Sequence, residues 1–103
     1  MAVIISEQNF ENEVIKSDIP VLVYFWSNWT AACEMVTPFI DEIEKEYEGR
    51  IKVAKLDVDD NPNLSRRFYM HTLPTVILFK NGENVETIVG YRPKKDFESI
   101  LNK

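Results

Sequence analysis

Few side chains in this sequence could do covalent chemistry. Cys33 is the only cysteine among 103 residues, and His71 is the only histidine. A lone thiol can attack sulfur and form a mixed disulfide, but it cannot close an intrachain bridge or build a Cys-rich zinc site. No metal and no other cofactor is expected. Cys33 follows Thr30 by three residues, at the start of a stretch with helical spacing. Unpaired N–H groups and the helix dipole favour a thiolate there, whereas burial among apolar neighbours favours the neutral thiol. Val36, Ile40 and Tyr47 share the inward side with Cys33, so it is expected to be buried and inert, with a reactive single thiol as the alternative. Thr30 itself suits a helix cap, its hydroxyl accepting from the N–H of Ala32 or Cys33. His71 reads as a satisfied loop residue.

Charge narrows the partners. Twelve Lys and Arg against seventeen Asp and Glu give a net charge of −5. Nucleic-acid binding needs clustered positive charge, and the only basic runs are Arg66-Arg67 and Lys94-Lys95. Nucleic acid is therefore not an expected partner. The longest apolar run, Val21 to Trp26, is six residues long, against the ~20 that a membrane helix requires. Met1 to Ser6 has neither a basic segment nor the apolar length of a signal peptide, which points to the cytoplasm.

The elements that must position these groups follow from punctuation and periodicity. Residues 1–103 form a single expected domain, since a chain this size closes one core. Val3–Ile5 is a short apolar start, and Phe10 with Val14 suggests a brief helix ending near Ser17-Asp18. Pro20 opens Val21–Trp26, a β-branched and aromatic run that reads as a strand buried on both faces. From Ala31 to Tyr47 apolar residues recur at helical spacing, Asp41 to Glu48 supply a solvated acidic face, and Pro38 is expected to kink the helix. Ile51–Val58 is a second strand. Asn61 and Pro62 start a short helix through Phe68. Thr75–Phe79 is a third strand, joined through Asn81-Gly82 to Val85–Val89 in a hairpin. Pro93 starts a last helix burying Phe97, Ile100 and Leu101. The order is βαβαβαββα, an α/β class. Strands separated by helices imply parallel pairing, with one antiparallel strand added by the hairpin.

The stretch from Phe25 to Pro38, Phe-Trp-Ser-Asn-Trp-Thr-Ala-Ala-Cys-Glu-Met-Val-Thr-Pro, resembles the active-site segment of thioredoxins, which reads Phe-Trp-Ala-x-Trp-Cys-Gly-Pro-Cys-Lys-Met-x-x-Pro. Val53 to Pro62 is similar to the family's third strand and the turn after it. Thr72-Leu73-Pro74-Thr75 is similar to its cis-proline segment, Phe79 to Glu83 to its hairpin, and Val89-Gly90 to the glycine beside its substrate groove. The resemblance spans nearly the whole chain. It implies a thioredoxin-like fold, a mixed central sheet with helices on both faces, and a lineage of protein-disulfide oxidoreduction with electron transfer through thiols.

The departures qualify that lineage. The family's attacking cysteine falls on Thr30, its Gly-Pro on Ala31-Ala32, and its buried carboxylate on Tyr24. Cys33 holds the resolving position. Disulfide reduction begins with thiolate attack, and a second thiol releases the product; a threonine hydroxyl stays protonated and cannot replace the first thiol. Lys55 lies where the family has a lysine near the buried acid, and could face solvent or donate to the Tyr24 hydroxyl. The resemblance also implies a polypeptide groove formed by Trp29, Ala31, Ala32, Thr72, Leu73, Pro74, Val89, Gly90 and Tyr91. There an extended client segment pairs with the backbone of Leu73 beside a cis Leu73–Pro74 bond. Tyr91 is large for its position and is expected to narrow this groove. The expected partners are extended polypeptide segments and a thioredoxin reductase. Two readings stand: a thioredoxin-family protein without dithiol turnover, acting by polypeptide binding or limited exchange at Cys33, or an active thioredoxin whose Thr30 replaces an original cysteine.

Overall fold

Val21, Leu22, Val23, Tyr24 and Phe25 are each at most 1% exposed, the burial of a strand covered on both faces. The computed structural model describes residues 2–102; Met1 and Lys103, the outer bounds of the expected domain, lie outside the described residues. The elements are β1 (Val3–Ile4), a π-helical turn (Glu11–Ile15), β2 (Val21–Trp26), α1 (Ala31–Glu46), β3 (Lys52–Asp57), α2 (Pro62–Arg67), β4 (Thr75–Lys80), β5 (Glu83–Val89) and α3 (Lys94–Ser99). Their order is the one expected. The first helical segment closes with an i to i−5 bond, Lys16 N–H donating to Glu11 O at 2.9 Å, where an ordinary short helix was expected.

The sheet runs β1-β3-β2-β4-β5. Side chains of β2 alternate between two cores. Leu22 and Tyr24 pack with Val36, Ile40 and Ile43 of α1 and with Phe97 of α3. Val21, Val23 and Phe25 pack with Phe10, Val14 and Leu64 on the other face. Helices thus cover both faces. Lys94 at the start of α3 reaches Glu42 and Glu46 of α1 at 2.9 and 3.0 Å.

One expected pairing is corrected. β1, β2 and β3 are parallel, but β4 runs antiparallel to β2 even though α2 separates it from β3. A six-residue helix rises only ~9 Å, whereas a six-residue strand spans ~20 Å. The helix alone is too short to carry the chain back to the starting end of β3, and the whole connection does not make that return. It enters β4 from the end where β3 stops, and Thr75 faces Phe25. Asn81 and Gly82, at φ of 54° and 81°, then make the tight turn into β5. A Cβ on Gly82 would lie 3.0 Å from Ile15 O, so this turn also needs glycine for space. β5 begins at Glu83, two residues earlier than expected, and carries an irregularity opposite Leu78 and Phe79 that leaves Val85 without a partner in the register.

Candidate functional site

The end of β2 delivers Ser27 to Thr30 to the start of α1. Thr30 is the N-cap: its extended backbone (φ −112°, ψ 133°) turns Oγ1 inward to accept the Cys33 N–H at 3.1 Å. Ala31 is exposed and Ala32 half-buried. Cys33 is a free thiol, 2% exposed, sitting against Tyr24 on the core side of the helix. Trp29 is 69% exposed and is held by its indole N–H, which donates to Asp59 Oδ2 at 3.0 Å.

Beneath Cys33 lies a cluster of hydroxyls. The Tyr24 hydroxyl stands 2.9 Å from the Cys33 carbonyl and 2.8 Å from Thr37 Oγ1. Thr37 Oγ1 lies 2.9 Å from the same carbonyl. Two hydroxyl protons serve these three contacts, so the carbonyl is well satisfied and no strong base is present. Burial pushes the Tyr24 phenol up from 10.0 to about 12, which fixes it as a neutral hydrogen-bonding group near neutral pH. Lys55 takes neither expected course: its ammonium pairs with Asp41 of α1. The cation has a carboxylate partner one helical turn beyond Thr37, and a salt bridge satisfies it better than a neutral phenol does. Ser27 is an exception to this satisfaction. Its Oγ is buried without a hydrogen-bond partner among the described residues, where the thioredoxin motif quoted above reads Ala.

The second half of the site arrives through β4 and β5. The Leu73–Pro74 bond is cis. Thr72 is exposed, Leu73 half-buried and Pro74 buried, and Thr75 Oγ1 donates back to Thr72 O at 2.7 Å. Gly90 N–H donates to Pro74 O at 2.7 Å. Gly90 has φ of 85° with open space where a Cβ would be, so the backbone angle alone explains the glycine. Val89 pairs with Thr75, and Thr75 with Phe25. The sheet thereby brings Leu73, Pro74, Val89 and Gly90 to the same end as Trp29 and Thr30. Tyr91 stays partly exposed, and its ring leans on Phe39 of α1, centroids 6.3 Å apart.

Sequence reading missed Thr37 and Asp41. Thr37 stands one turn after Cys33, the spacing at which a threonine hydroxyl returns to a helix carbonyl, so a signal existed. Asp41 was one carboxylate among many. Among the described residues no group of His, Cys, Asp or Glu could hold a metal ion, and no helix is long and apolar enough to cross a membrane.

Comparison with known proteins agrees with this geometry. The thioredoxin family profile matches residues 1–103. A thioredoxin of Porphyra purpurea is 46% identical over 99 residues, covering 96% of this chain and 92% of that protein. A thioredoxin of Rickettsia felis is 44% identical over 103 residues, covering 100% and 98%. Thioredoxin M5, chloroplastic, of Oryza sativa is 43% identical over 101 residues, covering 98% of this chain and 59% of that one.

Proposed function

The chain belongs to the thioredoxin family of thiol–disulfide redox proteins, and from that premise we propose that this member holds extended polypeptide segments without running a dithiol cycle. The observation that carries the reading is Thr30. Its hydroxyl accepts the Cys33 N–H, so the place of an attacking thiolate is taken by a helix cap. Reduction of a disulfide to two thiols takes two electrons, which a Cys-x-x-Cys pair supplies by closing its own disulfide. Cys33 alone cannot supply them. Its thiolate can attack a client disulfide, forming one Cys33–client S–S bond and expelling one client thiolate. The mixed disulfide then persists until an external thiol attacks it. Burial of Cys33 slows even this exchange.

Tyr24 supports natural divergence over a single changed cysteine. A chain altered only at position 30 would keep the family's buried carboxylate. Here Tyr24, Thr37 and the Cys33 carbonyl are hydrogen-bonded together, so the proton acceptor and the nucleophile are both replaced. The polypeptide surface remains. An extended client would pair with the Leu73 backbone between Trp29 and Ala31-Ala32 on one side and Thr72, Pro74, Val89, Gly90 and Tyr91 on the other, a strand addition that needs no cysteine. The acidic composition and single thiol suit a reducing compartment such as the cytoplasm.

Insulin reduction with a dithiol reductant, or with a flavin-dependent thioredoxin reductase, tests this. The chain is expected to give no turnover above the uncatalysed rate, and Thr30→Cys to restore partial turnover through a Cys-Ala-Ala-Cys pair. Adding Tyr24→Asp is expected to raise it further, because a carboxylate can accept the proton during release. Multiple turnovers by the unaltered chain overturn the proposal.

A further inference from the structure

On the sheet face opposite α1, the helical cover stops short. The π-helical turn and α2 pack over Val23, Ala54 and Ile77, but among the described residues no helix covers Thr87 and Val89 of β5, both exposed. The gap is a cavity of about 420 Å³ between that strand and the segment from Arg67 to Thr72. Its floor is apolar, with Phe68, Met70, Ile77 and Val89, and its walls offer Arg67 and His71. A second hollow of about 330 Å³ adjoins it, sharing Tyr69, Met70 and His71 and adding Arg66. In a chain of net charge −5, neither hollow is lined by a single Asp or Glu.

The cations there are poorly matched within the protein. The Arg67 guanidinium lies 5.2 Å from the centroids of both the Phe10 and Phe68 rings, and no carboxylate among the described residues pairs with it. Among the described residues Arg66 has only the Asn63 amide oxygen. Tyr69, between the two hollows, sits at φ of 54° with 78% of its surface exposed. An exposed aromatic in the left-handed region carries a backbone cost with no burial to offset it. Its neighbours Met70 and His71 lead directly to Thr72 and Leu73, so the hollows continue the edge at which a client backbone would pair.

We infer that these hollows receive acidic side chains of the same polypeptide that pairs with Leu73, so that the preferred clients are extended segments carrying Asp or Glu beside the paired residues. The inference rests on the polypeptide-binding reading above. Charge complementarity chooses the occupant: a carboxylate reaching Arg67 or Arg66 gains a charge-assisted bond, while the apolar floor accepts alternate side chains of a strand.

The test is fluorescence anisotropy with short labelled peptides alternating Val and Ser that carry two Glu, two Gln or two Lys. The Glu peptide is expected to bind roughly fivefold more tightly than the Gln peptide, the factor given by ~1 kcal/mol, and the Lys peptide more weakly than either. Arg67→Gln is expected to abolish the Glu preference. His71→Glu, at an exposed position that tolerates change, is expected to do the same without touching the aromatic packing under Arg67. Trp29→Ala is expected to weaken all three peptides alike. Equal binding of Glu and Gln peptides that still depends on Trp29 overturns this inference and leaves the polypeptide-binding reading standing. No binding of any peptide overturns both. Displacement of the Glu peptide by a single-stranded oligonucleotide of equal length overturns it in favour of a nucleic-acid partner.

Discussion

The start of α1 and the loop from Tyr69 to Pro74 lie at the same end of the sheet and treat their chemistry in opposite ways. At the helix start nearly every polar group is answered: Thr30 by the Cys33 N–H, Tyr24 and Thr37 by the Cys33 carbonyl, Lys55 by Asp41. In the loop Tyr69 is strained and exposed, and just before it Arg67, at the end of α2, pairs with no acid among the described residues. Thioredoxins concentrate reactivity at the first region. In this chain that region is closed by hydrogen bonds and an ion pair, and the unmatched groups lie in the second. The lesson is that satisfied and unmatched polar groups can stand side by side at one end of a sheet, the first holding the fold and the second open to a partner.

Stability measurements can break that contrast. The largest effect is expected from Tyr24. The unfolded chain ionises this phenol near pH ~10, whereas the folded protein keeps the proton until about 12. The phenol's own contribution to stability is therefore full below pH ~10 and is lost as pH rises through about 12, by roughly 2–3 kcal/mol in all. Urea unfolding across that range should show the decline in the unaltered chain and a shallower one in Tyr24→Phe. Equal slopes would mean that the phenol is not held as the hydroxyl cluster requires.

A smaller loss is expected from Thr30→Ala, about 1 kcal/mol for a deleted N-cap, read as a lower midpoint in the same titration. Substitution by serine, which keeps the hydroxyl, should recover most of it. Smallest, and of opposite sign, is Tyr69→Gly. Relief of the left-handed backbone should raise stability by up to ~1 kcal/mol, while peptide affinity falls. If Tyr69→Gly instead destabilises the protein, the loop is scaffolding too, and the contrast between the regions fails.

Much of this was legible beforehand. The five buried residues of β2 announced a two-faced strand by their β-branched and aromatic run, Asn81-Gly82 announced its turn, and Thr30 announced its cap. Each signal is local, carried by residues that determine their own backbone. The direction of β4 was not legible, because it depends on the path of the whole connection from β3, of which α2 is only a part. The partner of Lys55 depended on which of several carboxylates along α1 came within reach. The hollows beside Tyr69 had no signal at all, since they arise where two helical segments end before the sheet does, and tyrosine is not a residue that advertises a positive φ.

Pro38 gives the hydroxyl cluster a further meaning. It has no N–H, so the Glu34 carbonyl one turn earlier has no rung to complete in α1, and the helix ladder is interrupted just beyond Cys33. An unwinding that begins at Ala31 therefore meets no continuous ladder on its way to Phe39. What stops it is sideways: Tyr24, reaching from the sheet, and Thr37, reaching back along the helix, both hold the Cys33 carbonyl. The first turns of α1 are thus tied to β2 through the Tyr24 hydroxyl as well as to the rest of their own helix. Without that phenol the start of α1 would be tied to the sheet by packing alone, in a helix already missing one rung.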